Sequence, residues 1–388
     1  SEGISPVQGA DRNGPTAVLK SAAKMDHVVA LGASAIELMP VSQDAHSSCW
    51  GDMKDGCASS GCCSRACWGY DVLSLFSVHN AYGSADDLKA LIDTAHAKGL
   101  AVVVDWVPNH LSSLSFLNHF DGSASPLGTE GDTDQAGPYL YPDGRRTTPY
   151  GPRMDLRSPH VKQYVLASAL TLLDEFKVDG LRVDSTQTLR RRNASHGSPD
   201  LSEDLLEAWS LMQELTEAVR SRWGTSKYLI CEDMSNDAKM TTVAGFDADW
   251  DMSYFTALYR AVVTLQDNNR DLYAVKHAIE GTPRRVIFTE THDTVPTDRS
   301  HRLPEAIQPG GGPYAVKRTL IAAVVMLTSP GVPMLCAGQE LLELRGLSWP
   351  KAMPFPLKSE DRPPGADGVF AVFSQLTRLR RNVGGCSA

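Results

Sequence analysis

Several things are scarce in this chain, and each scarcity narrows what it can do. No apolar run approaches the roughly 18 residues that a membrane-spanning helix requires, so no membrane partner is expected. An excess of positive charge is missing too: 37 lysines and arginines face 46 aspartates and glutamates, for a net charge of −9. That balance, with no basic stripe, argues against nucleic acid as a partner. The opening residues, SEGISPVQGADRNG, lack the basic-then-apolar pattern of a secretory signal. The expected compartment is therefore cytoplasm or plastid. Secretion is the alternative, and only then would Asn193-Ala194-Ser195 count as a glycosylation sequon. There is no internal repeat and no low-complexity tract. With 388 residues, 42% apolar and 21% charged, the composition is that of an ordinary globular chain.

Cysteine is unevenly distributed. Of eight, Cys231 and Cys336 lie inside apolar, strand-like runs and read as buried free thiols. Cys386 says little. Cys49, Cys57, Cys62, Cys63 and Cys67 crowd one segment whose spacing fits no common zinc pattern, with only His46 nearby. A surface insertion over 44–67, with or without disulfide staples, is favoured over a metal site, and the redox state stays open.

What the chain does have is a repeated pattern. Asp105, Asp184, Glu232 and Asp293 each close a short apolar run: LAVVVDWVPNH, VDGLRVDSTQTL, KYLICEDMS and RVIFTETHDT. A β-branched run ending in an acid reads as a buried parallel strand that delivers a side chain to a cleft. Helical periodicity fills the gaps, as in TAVLKSAAKMDHVVALG (16–32) and SADDLKALIDTAHAKGL (84–100). The second of these opens on a serine N-cap with acids in its first turn and stops at Lys98–Gly99. Further helices are expected over 159–177, 201–223, 252–280, 314–328 and 368–382. Strands are expected at 34–40, 101–107, 178–184, 227–233, 245–250, 285–290 and 332–338. This alternation predicts a (β/α)8 TIM barrel. Its first strand, sought in SEGISPVQGA, is truncated or degenerate. Between 109 and 158 the periodicity gives way to Gly, Pro, Asp and tyrosine, an irregular excursion over the cleft after the third strand. Tyr139, Tyr141 and Tyr150 could offer sugar-stacking faces there or simply pack.

Two carboxylates at neighbouring strand ends suit glycosidic chemistry, one acting as nucleophile and the other as proton donor. Asp184 and Glu232 are so placed. Arg182, two residues before Asp184, alternates to the same face and can hold that aspartate ionised. His110, His292 and Asp293 could bind sugar hydroxyls.

The blocks DWVPNH (105–110), GLRVDSTQTL (180–189), ICED (230–233) and FTETHD (288–293) resemble the four ordered blocks of glycoside hydrolase family 13, the α-amylase superfamily. WGYD (68–71) and PGVPMLCAGQE (330–340) also resemble it. The resemblance implies one catalytic barrel over 1–388 and a retaining double displacement on α-glucan. Asp184 would be the nucleophile, Glu232 the acid/base, and Asp293 the residue that binds and distorts the sugar. Tyr70, Asp105, His110, Arg182 and His292 would bind substrate, with Tyr70 stacking beside the cleaved bond. No metal or other cofactor is implied; Asn109 occupies a position that binds calcium in many amylases. No separate N- or C-terminal β domain is expected. Trp106–Pro108, Glu290, GFDADWDMSYF and LLELRGLSWP are similar to 1,4-α-glucan branching enzymes. The alternatives are an amylase-type or trehalose-releasing hydrolase and a catalytically silent glucan-binding protein. Oligomeric state and chain-length preference are not legible.

Overall fold

A computed structural model of the chain describes residues 25–45, 68–80, 82–121, 137–193, 203–295, 302–346 and 366–382. The N-terminal strand candidate, the cysteine-rich segment and most of the sequon lie outside them.

Seven parallel strands form one sheet, and they are the seven that the alternation predicts. They are β1 (Ala35–Leu38), β4 (Ala101–Trp106), β5 (Gly180–Val183), β6 (Tyr228–Cys231), β7 (Ala248–Trp250), β8 (Arg285–Ile287) and β9 (Val332–Pro333). Between β1 and β4 in sequence, β2 (Ser42–Asp44) and β3 (Val72–Val78) make a separate antiparallel pair that periodicity did not announce. The order β1-β4-β5-β6-β7-β8-β9 is sequential apart from that pair, as a barrel wound strand by strand requires.

Period-two alternation divides each strand between two environments. Val102, Val104 and Trp106 of β4, Leu181 and Val183 of β5, and Leu229 and Cys231 of β6 face outward into the core beneath the helices. Val103, Ile230, Ala248, Trp250, Val286 and Phe288 pack together on the inner side. The register pairs Asp105 with Arg182, and Arg182 with Ile230, so the polar members of β4 and β5 share that inner face. Gly180 makes the approach of β5 to β6 possible: a Cβ there would lie 2.4 Å from the Tyr228 carbonyl oxygen.

The helices fall where the periodicity put them, somewhat trimmed. Helix Ala85–Ala97 carries a full capping box between Ser84 and Asp87 and buries Leu88, Leu91 and Ile92. Each such side chain contributes about 1.5–3 kcal/mol of burial. Helices Pro159–Asp174 and Leu206–Trp223 cover the outer faces of β5 and β6, and Pro313–Thr328 packs with Val369–Arg380. The 252–280 stretch is two helices, Met252–Val263 and Leu272–Ile279, broken around Asp267. The 332–338 strand is corrected to two residues. Leucine and cysteine beyond Pro333 lose their ladder where the chain turns at Ala337–Gly338, and Cys336 is half-buried instead of sealed in a strand. Cys231 is a buried free thiol, as expected. Among the described residues no helix is long and apolar enough to cross a membrane.

Candidate active site

The site forms at the C-terminal ends of β4, β5 and β6, around one guanidinium. Arg182 is fully buried, and its Nη1 donates to Asp105 Oδ2 and to Asp184 Oδ1, both at 2.6 Å. Its Nη2 lies 2.8 Å from Glu232 Oε2, an ion-pair contact whose angle is too poor for a directed hydrogen bond. The Trp250 ring at the end of β7 lies 4.4 Å from the guanidinium carbon, a cation–π contact in a dry setting. Three carboxylates against one guanidinium cannot all be ionised cheaply in a buried space.

The environments split them. Burial pushes the Glu232 carboxyl well above the usual range; Arg182 opposes this, while the charges of Asp184 and Asp293 reinforce it. Burial likewise raises Asp105 to about 8 against the pull of Arg182. Asp105 Oδ1 is buried with no hydrogen-bond partner among the described residues. For Arg182, burial works against the charge, but Asp105, Glu232 and Asp184 more than offset it and the guanidinium stays protonated.

Backbone and amide donors fix the two central carboxylates. Asn109 Nδ2 donates to Asp184 Oδ2 at 2.7 Å and to the Asp184 carbonyl at 2.9 Å. Ser185 N donates to Glu232 Oε2 at 2.8 Å, across from one strand end to the next. Ser185 adopts a left-handed conformation with φ of 40°, a strained turn for a residue with a side chain. That turn aims its N–H at Glu232. The Glu232 carbonyl in turn accepts from Thr186 N at 2.9 Å and Thr186 Oγ1 at 2.8 Å.

The remaining expected residues surround this centre. Tyr70 donates its hydroxyl proton to Asp105 Oδ2 at 2.5 Å, which leaves the phenol oxygen to accept from His292 Nε2 at 2.7 Å. Its ring stacks on His292, with centroids 5.5 Å apart. His292 also sits 3.3 Å from Asp293, whose side chain is 57% exposed and reaches neither Asp184 nor Glu232 directly. His110 connects to Asp184 only through Asn109, 2.5 Å away. Burial lowers the pKa of both histidines, so both imidazoles are held neutral at pH 7.

Of the three tyrosines in the excursion, Tyr150 alone reaches the site, its ring 5.5 Å from that of His110. Tyr141 is corrected to a packing residue. It is fully buried, donates to Glu207 at 2.9 Å, and is flanked by Arg145 and Arg157. Asn109, considered above only for calcium, spends its amide on Asp184. Sequence reasoning also missed Trp250, although its position two residues after inward-facing Ala248 would have placed it. The ion pair of Arg302 with Glu290, at 2.9 Å, pins the strand-end segment before His292. It joins residues twelve apart in sequence and left no periodic signal.

Seven parallel strands with carboxylates clustered at their C-terminal ends fit a (β/α)8 barrel whose candidate site lies on the face where such barrels place their active sites. The comparisons with known proteins agree. The model of the α-amylase catalytic domain matches residues 21–135. The chain is 27% identical over 337 residues to a 1,4-alpha-glucan branching enzyme, GlgB, of Corynebacterium efficiens, covering 82% of this chain and 41% of that one. It is 28% identical over 369 residues to a malto-oligosyltrehalose trehalohydrolase of Arthrobacter ramosus, covering 84% of this chain and 54% of that one. An α-amylase structure from Geobacillus thermoleovorans, complexed with acarbose, superposes with a TM-score of 0.66 at 20% identity, covering 94% of this chain and 72% of that one. The chain is similar to the α-amylase superfamily, glycoside hydrolase family 13, in its sequence over residues 21–135 and in its fold. It spans about half or less of the length of these curated relatives.

Proposed function

We propose that this chain carries the catalytic site of a 1,4-α-glucan branching enzyme-like transglycosylase. The observation that carries the reading is the pairing of Asp184 and Glu232 on adjacent strand ends, both against Arg182 but in different hydrogen-bonding environments. In the first step an Asp184 oxygen attacks the anomeric carbon of an α-1,4-linked glucose. The glycosidic C–O bond breaks, and Glu232 gives its proton to the departing 4-oxygen. In the second step the ionised Glu232 takes a proton from a glucose 6-hydroxyl. That oxygen attacks the same carbon, the bond to Asp184 breaks, and an α-1,6 branch results. The acid/base must begin protonated. A pKa raised by burial keeps it so near neutral pH, and turnover is lost as pH rises through that value.

Asp293, at the rim, is assigned to binding and distorting the sugar. His292 and His110, both held neutral, are assigned to its hydroxyls, with Tyr70, Asp105 and Arg182 completing the binding wall. The branching reading draws on the branching enzymes among the relatives and on the local likeness of GFDADWDMSYF to their sequences. A specific observation favours a second reading, release of trehalose from capped maltooligosaccharides: the trehalohydrolase is equally similar and matches over as much of this chain. Catalytic silence is disfavoured by the presence of all three acids, Asp184, Glu232 and Asp293.

Incubation with amylose separates these readings. Branching lowers the iodine colour with few new reducing ends, and debranching then releases short chains. Reducing ends that rise in proportion to the lost colour would replace the branching reading with hydrolysis.

A further inference from the structure

Behind the sheet, on the side away from Arg182, lies a second acidic pair that the reaction above does not use. Asp233 and Asp249 alternate to the face opposite Glu232 and Trp250. Asp233 is fully buried and Asp249 is 8% exposed. Arg190, also fully buried, forks Asp233 through Nε at 2.7 Å and Nη2 at 3.1 Å. It also holds Asp204 at 2.7 Å and lies over the Trp209 ring. Asp249 has no such cation. Its Oδ1 accepts from the backbone N–H of Asp233 at 2.9 Å, and its cross-strand neighbour is the thiol-bearing Cys231.

That N–H belongs to the peptide group joining Glu232 to Asp233. The carbonyl end of the same group is held by Thr186 N and Thr186 Oγ1. One peptide plane is thus gripped at both ends, and its orientation sets the direction in which the Glu232 side chain leaves the strand. A buried carboxyl is a costly way to hold one peptide N–H and the Cys231 thiol unless the geometry it fixes matters. We propose that Asp249 is a positioning residue for Glu232, holding the 232–233 peptide plane from behind the sheet so that the acid/base meets the leaving oxygen. The inference rests on the acid/base reading of Glu232. Burial, joined by the charge of Asp233, pushes the Asp249 carboxyl well above the usual carboxylate range. An amide of the same shape should therefore replace it.

The test compares two donors that differ in their need for a proton. Amylose leaves as a sugar hydroxyl and depends on Glu232; α-maltosyl fluoride leaves as fluoride and needs little protonation. Asp249→Leu removes the acceptor and is expected to lower kcat on amylose about thirtyfold, with KM unchanged, while the first-turnover burst of fluoride release, which precedes the base-assisted step, stays within about threefold. Asp249→Ser, which shortens the side chain without adding apolar bulk, should give the same selective loss and carries the test if the leucine variant does not fold. Asp249→Asn keeps the acceptor and should retain both activities within about threefold. Equal loss on both donors, no loss on either, or failure of Asn alongside Leu overturns the proposal. Glu232→Gln is the reference: if it spares amylose, the acid/base reading itself fails. If it shows the selective loss and the Asp249 variants do not, only the positioning inference falls.

Discussion

An Asp184→Ala protein turns over amylose about 10⁴-fold or more slowly than the unaltered protein while still binding glucan. The size of the loss follows from the role proposed for this side chain. Without it no covalent glycosyl intermediate forms, and water or a sugar hydroxyl must attack a poorly activated centre directly. Binding survives because the other side chains assigned to the sugar, His292, Tyr70 and His110, lie on segments other than the one that carries Asp184. The substitution also removes one of the negative charges that raise Glu232, so what activity remains should lose its alkaline limb at a lower pH. Steady-state kinetics on amylose, paired with affinity electrophoresis in glycogen gels, measures both halves. A kcat within about tenfold of the unaltered value would remove Asp184 from the nucleophile role.

The second large effect concerns stability. Arg182→Leu strips the single cation from three carboxylates within 2.6–2.8 Å of it. Breaking a buried charge cluster by removing one partner typically costs about 3–5 kcal/mol, a large share of the roughly 5–15 kcal/mol that holds a domain together. The loss is met in part by proton uptake, since Asp105 and Glu232 are already pushed upward by burial. A raised folded-state pKa favours folding at low pH, so the variant should be least stable at alkaline pH and recover as pH falls. Asp105→Asn, added to Arg182→Leu, deletes one of the buried charges left without a cation and should restore part of the loss. Urea unfolding followed by circular dichroism at several pH values reads this out. Stability unchanged to within about 1 kcal/mol would mean that Arg182 is not the keystone of the cluster.

How much of this was legible in the sequence depends on range. Asp105, Arg182, Asp184 and Glu232 converge because each sits on the inner face of a parallel strand, and period-two alternation states that without a structure. Tyr70 joins them on the strength of family resemblance alone, whereas His292 was expected from its place after the 285–290 strand. Asp293 was grouped with the others as a strand-end acid, but β8 stops at Ile287 and the aspartate sits in a turn at the rim. Interactions that depend on non-local or strained geometry were not legible. The left-handed Ser185 turn has no composition signal, since serine there does what glycine or asparagine would be expected to do. For Tyr141 the sequence left sugar stacking and packing both open, and Arg145, Arg157 and Glu207, which enclose it, decide for packing. The Asp249 contact to Asp233 crosses two strands on the hidden face, where a lone acid resembles any other.

The measurement that bears most directly on the central claim is capture of the covalent intermediate. The Glu232→Gln protein, incubated with 5-fluoro-α-maltosyl fluoride and digested, should yield one peptide carrying the sugar, with the label on Asp184. A label on another residue, or no label together with a first product of β configuration, would contradict a retaining displacement at this site.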